Sequence, residues 1–363
     1  MKQTSTRPNI RHLSLSDLQE YVVRAGQPAY RARQLYGWLW QKHALGFEEM
    51  SDLPKVFREK LMADFSFPVA KLELLQQSRD GTVKCLFRLS DGKAVEGVLI
   101  PAGERLTACV SSQAGCSLGC TFCATGHLGL QRNLMMDEIF DQVAFLNALA
   151  MQQAGRRLTN IVFMGMGEPL LNYKQVMQAI EKITDPHALA FSPRRITVST
   201  AGISKMIYRL ADDGVRFNLA ISLHAATDEK RSQIMPINQS NHLSSLMEAL
   251  AYFYQLTRNE ISIEYILLNH FNDSLDDAKA LVKIYRKLPF KVVNLIEYNP
   301  VPSSPFSRAD SSTTDRFIAY LQQQRVNVRL RRSRGADIDA ACGQLANVVH
   351  ADAALPTSHA DVH

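Results

Sequence analysis

Residues 116–123 read CSLGCTFC and place Cys116, Cys120 and Cys123 in a C-x3-C-x2-C pattern, in a chain that has only six cysteines. A structural zinc site normally takes four ligands from two separated pairs, and the sequence contains no second C-x2-C pair. Three thiolates instead suit a [4Fe–4S] cluster, whose fourth iron then stays open to a substrate or cofactor. From the spacing alone we favour a cluster, while a zinc site and an incidental grouping stay open.

The three cysteines follow the first of six strand-like segments, each of which is succeeded by a helix-like segment. Six β–α units predict an α/β fold with a parallel sheet, open or barrel-like. In such folds the active site lies at the carboxyl ends of the strands, so the polar residues there are candidate site residues. The strand-like segments are RLTACVSS, TNIVFMGMG, RRITVST, RFNLAISLH, ISIEYILL and KVVNLIEYN.

The chain before this region has a different pattern. Residues 13–65 carry apolar residues at helical spacing, whereas residues 71–112 alternate as strands do, with turns at RDG (79–81) and SDG (90–92). We predict a helical, RNA-binding accessory domain at 1–68, a β-hairpin extension at 69–104, a catalytic domain at 105–347 and a disordered tail at 348–363. The aromatic residues of 28–43 are interpreted as the core of a small bundle, with a nucleic-acid-facing helix as the alternative.

The composition of the chain indicates its cellular compartment and the kind of partner that it could bind. No segment resembles a secretion signal, and no run of about 18 apolar residues would span a membrane, so we expect a cytoplasmic protein with reduced cysteines. The net charge of +6 and the pI of about 9.0 are compatible with a nucleic-acid partner. Arginines at 156–157, 194–195 and 329–334 are candidate phosphate contacts.

Several further motifs accompany the cysteines. The segments VSSQAGCSLGCTFCATG, RNL, FMGMGEPLLN, SPRRITVSTAG, SLHA, RSQIMPIN, IEYNPV and DIDAACGQLAN resemble, in order, those of the RlmN/Cfr family of radical S-adenosylmethionine (SAM) RNA methyltransferases. The resemblance implies a partial (β/α)6 barrel with a small helical N-terminal domain and a β-hairpin extension. It also implies methylation of adenine C2 in 23S rRNA and in tRNA beside the anticodon, with Cfr-type C8 methylation of the same rRNA adenine as the alternative.

The resemblance implies a role for three further residues. Cys342, in DIDAACGQL, matches the cysteine that accepts a methyl group and carries it to the base. Cys109 matches the cysteine that releases the product by forming a disulfide, and Glu96 matches the proton acceptor. The family reaction consumes two molecules of SAM per product and uses a 5′-deoxyadenosyl radical, because the electron-poor adenine carbon does not attack a methyl group directly.

The resemblance also implies a cofactor site and partners. Cys116, Cys120 and Cys123 match the ligands of the [4Fe–4S] cluster. The expected partners are 23S rRNA, tRNA and an external flavodoxin-like one-electron reductant, and we expect a monomer without membrane attachment. The residues that match the SAM-binding positions are Gly167, Glu168, Ser199, Ser222, Leu223, His224 and Asn299.

Two other classes of function stay open from the sequence. A different radical enzyme is one, although a methylthio-transferring enzyme needs additional cluster cysteines that this chain lacks. A non-catalytic RNA-binding protein with a metal staple is the other, and anaerobic iron and sulfide analysis distinguishes it from an enzyme.

Overall fold

The fold is described from a computed structural model, which covers residues 7–302 and 304–347. A ten-stranded mixed sheet forms its centre, and helices connect the parallel strands. The strands are β1 (Lys71–Gln77), β2 (Val83–Arg88), β3 (Ala94–Ala102), β4 (Arg105–Cys109), β5 (Gln113–Gly115), β6 (Leu130–Asn133), β7 (Asn160–Phe163), β8 (Ile196–Thr200), β9 (Asn218–Ser222), β10 (Ile261–Leu267), β11 (Val292–Glu297) and β12 (Val328–Arg331).

The helices divide into an N-terminal group and a group that connects the strands. The first three precede the sheet, and the others follow individual strands of the parallel region. They are α1 (Leu15–Arg24), α2 (Arg31–Trp40), α3 (Lys55–Asp64), α4 (Ala124–His127), α5 (Met136–Ala154), α6 (Tyr173–Thr184), α7 (Ser204–Asp212), α8 (Asp228–Ile234), α9 (Leu243–Thr257), α10 (Leu275–Tyr285) and α11 (Ser311–Gln323).

The sheet runs in the order β1-β2-β3-β4-β7-β8-β9-β10-β11-β12. Within this sheet, β1 to β4 pair antiparallel and every pairing from β4 through β7 to β12 is parallel. Strands β5 and β6 form a separate antiparallel pair. Neighbours in the parallel part follow chain order, so each crossover helix leads to the adjacent strand. The carboxyl ends of the parallel strands therefore lie along one edge, where the loop after β4 places the three cysteines.

Local sequence accounts for the turns and helix ends that shape this sheet. Gly92 adopts a φ of 86° in the turn between β2 and β3, and the Asp91 carboxylate accepts the Lys93 N–H at 3.1 Å. Ser274 and Asp277 form a reciprocal capping box at the start of α10. These short-range interactions fix where elements begin and end.

The N-terminal helices dock on the sheet domain through buried side chains. The Trp40 ring meets the Phe140 ring of α5 edge to face at 5.0 Å, and Tyr36 donates a hydrogen bond to Asp185. Both aromatic residues are buried and pack in the core, as interpreted, whereas Tyr30 of the same segment is exposed, so the nucleic-acid-facing alternative stays a prediction. The division of the chain at residues 68 and 104 stays a prediction, and the tail at 348–363 lies outside the described residues.

The expected fold class is confirmed. All six predicted strands form the parallel part of the sheet, and the helical N-terminal region and the antiparallel extension are both present. The sequence analysis missed five short elements, which are β5, α4, β6, α8 and β12. Among the described residues, none of the helices combines the length and the apolar character that crossing a membrane would require.

Candidate active site

The cysteine loop (residues 116–123) folds tightly at the carboxyl end of β4. The Cys116 N–H donates to the Gly129 carbonyl at 3.1 Å, and the Cys123 N–H donates to the Cys120 carbonyl at 3.2 Å. A Cβ atom at Gly126 would lie 3.1 Å from the backbone nitrogen and oxygen of Cys120, so the following turn packs directly on the loop. The three ligand candidates therefore project from one compact segment.

The donor chemistry of this loop fits an iron–sulfur cluster. All three cysteines are free thiols, and Cys120 and Cys123 pack against a buried apolar cluster that includes Phe122. Burial raises the pKa of each thiol, so the thiolate forms require compensating positive charge. Among the described residues, no group of three or more His, Cys, Asp and Glu side chains is already gathered for a metal ion, so the cluster assignment depends on the number, spacing and chemistry of the thiols.

Gly167 and Glu168 lie just beyond β7, beside the cysteine loop. Gly167 has a φ of 95°, and a Cβ atom there would lie 2.5 Å from Cβ of Gln113. The Gln113 side chain accepts the Glu168 N–H at 2.8 Å, which joins this turn to β5. The buried Glu168 carboxylate accepts N–H groups from Leu170 and Ala201. Burial raises the pKa of Glu168, and a ligand ammonium group, such as that of methionine, would favour its charged form.

The next two strands bring their candidates to the same edge. Ser199 of β8 and Ser222 of β9 have hydroxyl oxygens 3.4 Å apart. The Leu223 N–H donates to the Glu264 carbonyl of β10 at 3.0 Å. His224 meets the Phe122 ring edge to face at 4.8 Å, and its Nδ1 accepts the Ile266 N–H at 3.1 Å. Burial lowers the pKa of His224 to about 3, so this imidazole is neutral.

The C-terminal segment (residues 342–347) crosses the mouth of the site. Its Gly343 carbonyl accepts the Ala124 N–H at 2.7 Å, immediately after Cys123, and its Leu345 carbonyl accepts the Thr125 hydroxyl at 2.6 Å. Asn299, beyond β11, directs its amide nitrogen to the Cys342 carbonyl at 3.5 Å. Cys342 is thus held against the cysteine loop, although more than 200 residues separate them in sequence.

The same segment reaches Glu96 at its other end. The Asn347 N–H donates to Oε2 of Glu96 at 3.0 Å, while Lys84 places its Nζ 3.2 Å from Oε1. Both Glu96 and Lys84 are almost fully buried, on neighbouring strands β3 and β2. The Lys84 ammonium group compensates the buried carboxylate, which explains how Glu96 is accommodated in a strand interior.

Cys109 and Cys342 lie within electrostatic range of one another. Burial raises the pKa of Cys109 to about 12; the Cys342 thiol adds to this rise, and Arg331 opposes it. Arg331 is positioned by the Glu264 carboxylate at 3.0 Å and contacts the sulfur of Met164 at 3.8 Å. Arg331, on β12, therefore lies within electrostatic range of both cysteines.

Of the other candidate phosphate contacts, Arg332 and Arg334 follow β12 at the carboxyl edge of the sheet, whereas the pairs 156–157 and 194–195 lie at the opposite edge. Arg157 precedes β7 and Arg195 precedes β8, so both lie at the amino ends of the strands, opposite the cysteine loop, where they line a cavity of about 330 Å³. A second cavity of about 440 Å³ is lined by Lys93, Gln131 and Asn347, among others, and so lies beside Glu96. The second cavity is linked to a predicted catalytic residue through Asn347, which lines the cavity and contacts Glu96.

Three residues of the site were not singled out from the sequence. Gln113 and Arg231 stand inside motifs that we quoted, and Lys84 is a lysine in an otherwise apolar strand. A charged residue within a buried strand pattern is the signal that points to Lys84. Arg231 lies on the short helix α8, whose seven residues are too few to show a helical period.

Known protein families and individual proteins resemble this chain over most of its length. The model of the radical SAM superfamily matches residues 110–283, and that of the "ribosomal RNA large subunit methyltransferase N-terminal domain" matches residues 8–66. A probable dual-specificity RNA methyltransferase RlmN from Cytophaga hutchinsonii is 48% identical over 95% of this chain and 95% of its own length. The chain belongs to the RlmN family. An RlmN relative from Christiangramia forsetii is also 48% identical, over 94% of this chain and 97% of its own length.

A solved structure agrees with this membership. The crystal structure of a radical SAM methyltransferase from Sphaerobacter thermophilus superposes with a TM-score of 0.88 at 40% identity, covering 93% of this chain and 99% of that one. Membership in the RlmN family, and through it in the radical SAM superfamily, implies a [4Fe–4S] cluster and SAM. Cys116, Cys120 and Cys123 would hold the cluster, and the strand-end residues from Gly167 to Asn299 would hold SAM. All six cysteines are free thiols, so a Cys109–Cys342 disulfide stays a prediction.

Proposed function

We propose that this RlmN-family chain methylates C2 of an adenine in 23S rRNA and of the adenine beside the anticodon in tRNA. The observation that carries the proposal is the path of the C-terminal segment. It ties Cys342 to the cysteine loop at one end and contacts the Glu96 carboxylate at the other. One segment thus connects the residues that we propose as methyl carrier, cluster ligands and proton acceptor.

Each residue of the proposed site has its own chemical role. When bound, the cluster and SAM supply a carbon-centred radical, which is the chemistry that the protein itself cannot provide. The Cys342 thiolate accepts a methyl group from one SAM and presents its carbon to the adenine. Glu96, which pairs with Lys84, takes the proton from C2. Cys109 then attacks the sulfur of Cys342, so that a Cys109–Cys342 disulfide forms while the bond from that sulfur to the methylene carbon breaks. The freed carbon takes up a proton and leaves as the methyl group of the product. We expect two molecules of SAM for each methyl group transferred.

The choice of RNA rests on the relatives and on the motifs. The curated relatives are named dual-specificity RNA methyltransferases, and the matching N-terminal domain is named for the large ribosomal subunit. The basic net charge of +6 suits a polyanionic substrate. We further expect a monomer in the cytoplasm that receives its electrons from a flavodoxin-like protein.

Nucleoside analysis of total rRNA and tRNA tests this function. A strain that lacks the protein should lose 2-methyladenosine from both RNA classes, and the wild-type chain should restore it. Cys85→Ala should restore it as well, because Cys85 is a buried thiol outside the site, whereas Cys342→Ala should not. Loss of 8-methyladenosine instead would establish the Cfr-type position, and unchanged nucleosides would overturn the proposal.

A further inference from the structure

Arg231 is a fully buried cation with an unusual set of partners. Its Nε donates to the Leu223 carbonyl at 3.1 Å, and Nη1 donates to the Asn238 side-chain oxygen at 2.7 Å. Its Nη2 donates to the carbonyls of Ala201 and Ser222. These acceptors are neutral, and among the described residues no carboxylate lies within 4.0 Å of the guanidinium.

Other deeply buried cations of the chain are paired. Arg11 has the Asp141 carboxylate as its partner, and Lys84 has Glu96. The acid that acts on Arg231 electrostatically, Asp228, is half-exposed, and its Oδ1 accepts hydrogen bonds from the Asn238 amide and the Leu243 N–H. A buried charge without a counter-charge is destabilising by several kcal/mol. Burial accordingly lowers the pKa of Arg231 to about 10.

The surroundings of Arg231 show where the missing anion belongs. The Thr121 N–H, in the middle of the cysteine loop, donates to the Ile234 carbonyl at the end of α8 at 3.1 Å. Cys120 and Cys123 pack against the apolar cluster to which Ile234 belongs, and the Cys120 thiol lies within electrostatic range of Arg231. Three thiolates leave a [4Fe–4S] cluster anionic, and reduction adds a further negative charge to it.

We infer that Arg231 is the counter-charge of the iron–sulfur cluster and raises its reduction potential. A fixed cation stabilises the more negative, reduced form more than the oxidised form, and charge near a cluster is one of the means by which proteins set its potential. The same guanidinium holds the loops after β8 and β9, where the SAM-binding candidates lie. Arg231 thus couples the electrostatics of the cluster to the shape of the SAM site.

A redox titration of the anaerobically purified protein, followed by electron paramagnetic resonance, tests this inference without measuring methyl transfer. Arg231→Gln removes the charge and keeps an amide that can hydrogen-bond. The ratio of reduced to oxidised cluster at a fixed potential should fall about tenfold, a shift of 59 mV to more negative potential for one electron. Arg231→Lys keeps the charge and should stay close to wild type. Arg209→Gln, which alters an exposed arginine, is the matched control.

Each possible result of the titration either supports or contradicts the role inferred for Arg231. If Arg231→Gln loses its iron and sulfide while Arg231→Lys keeps both with the wild-type potential, the cluster requires the charge, and the inference stands. A wild-type potential in Arg231→Gln would overturn it. Equal shifts in the two variants, or loss of the cluster from both, would also overturn it by showing that the hydrogen bonds alone matter. The inference rests on the cluster and not on the choice of RNA, and the iron and sulfide content of the wild type tests the cluster separately.

Discussion

Individual buried polar residues determine what this site can do. Glu96, Glu168 and His224 are each almost fully buried, and the polar atoms of each are bonded to specific neighbours. Glu96 has an ammonium partner, Glu168 has backbone N–H donors, and His224 accepts a backbone N–H. Because burial makes an unsatisfied polar group costly, these contacts also fix the orientation of each side chain.

Replacement of Cys109 should trap an intermediate. With Cys109→Ala, no second sulfur is available to release Cys342 from the base, so RNA should stay covalently attached to the protein. A denaturing gel should show a shifted band that ribonuclease treatment removes. Cys85→Ala should give no such band, and absence of the band from Cys109→Ala would contradict the role proposed for this cysteine.

His224 should make stability depend on pH. The pKa of His224 is lowered to about 3 in the folded chain, whereas an unfolded histidine titrates near its ordinary value of 6.5. Below pH 6.5 the unfolded state therefore binds a proton that the folded state does not. The free energy of unfolding should fall by up to ~1.4 kcal/mol per pH unit between about pH 6 and pH 4.

Urea unfolding of wild type and His224→Asn across this pH range measures the effect. Asparagine tolerates the left-handed backbone of this position, where φ is 55°, and does not titrate. The variant should show a shallower loss of stability toward acid. Parallel pH profiles for the two proteins would exclude His224 as the cause.

At the scale of elements, a buried charge network joins the N-terminal helices to the sheet domain. Asp141 of α5 accepts hydrogen bonds from both terminal nitrogens of Arg11, from His43 at 3.0 Å and from the Ala70 N–H at 2.9 Å. Four segments thus meet at one carboxylate. Burial acts to raise the pKa of Asp141, but Arg11 and His43 outweigh it and the pKa is lowered.

Removal of this carboxylate should loosen the docking. Asp141→Ala leaves the Arg11 guanidinium buried without a partner, which should reduce the free energy of unfolding by about 3–5 kcal/mol. Glu59→Ala is the matched control, because its 4.0 Å pairing with Lys55 is exposed and should contribute under about 1 kcal/mol. Chemical denaturation of both variants measures the difference, and an equal, small effect would show that the network does not anchor the helices.

At the scale of the whole molecule, the two ends of the parallel sheet are distinct. The cysteine loop, the SAM-binding candidates and the C-terminal segment lie at the carboxyl edge, with the cavity beside Glu96 nearby. Arg157 and Arg195 lie at the opposite edge. A base that reaches Cys342 must be unstacked from its neighbours. The phosphates on either side of that base should therefore lie near the carboxyl edge of the sheet.

RNA binding should depend on basic residues at the carboxyl edge of the sheet and not on those at the opposite edge. Lys93→Ala, at the cavity beside Glu96, should weaken binding and reduce the slope of log affinity against log salt by about 1. Arg195→Ala, at the far edge, removes the same charge and should leave the slope unchanged. Filter binding of a tRNA or rRNA fragment over a range of salt measures both, and the reverse result would place the RNA on the other face.

The sequence by itself determined the parallel α/β order, the helical N-terminal region and the cysteine loop, because periodicity and cysteine spacing are local properties. It also determined the family, through motifs that occur in order. Only the tertiary structure decided that Cys342 lies against Cys123, that Lys84 faces Glu96 and that Arg231 lies beneath the cysteine loop without an acid. These are contacts between distant segments, and the elements that carry Arg231 and Arg331 are too short to show a period. Burial and charge compensation, which define the site, exist only once the chain has packed.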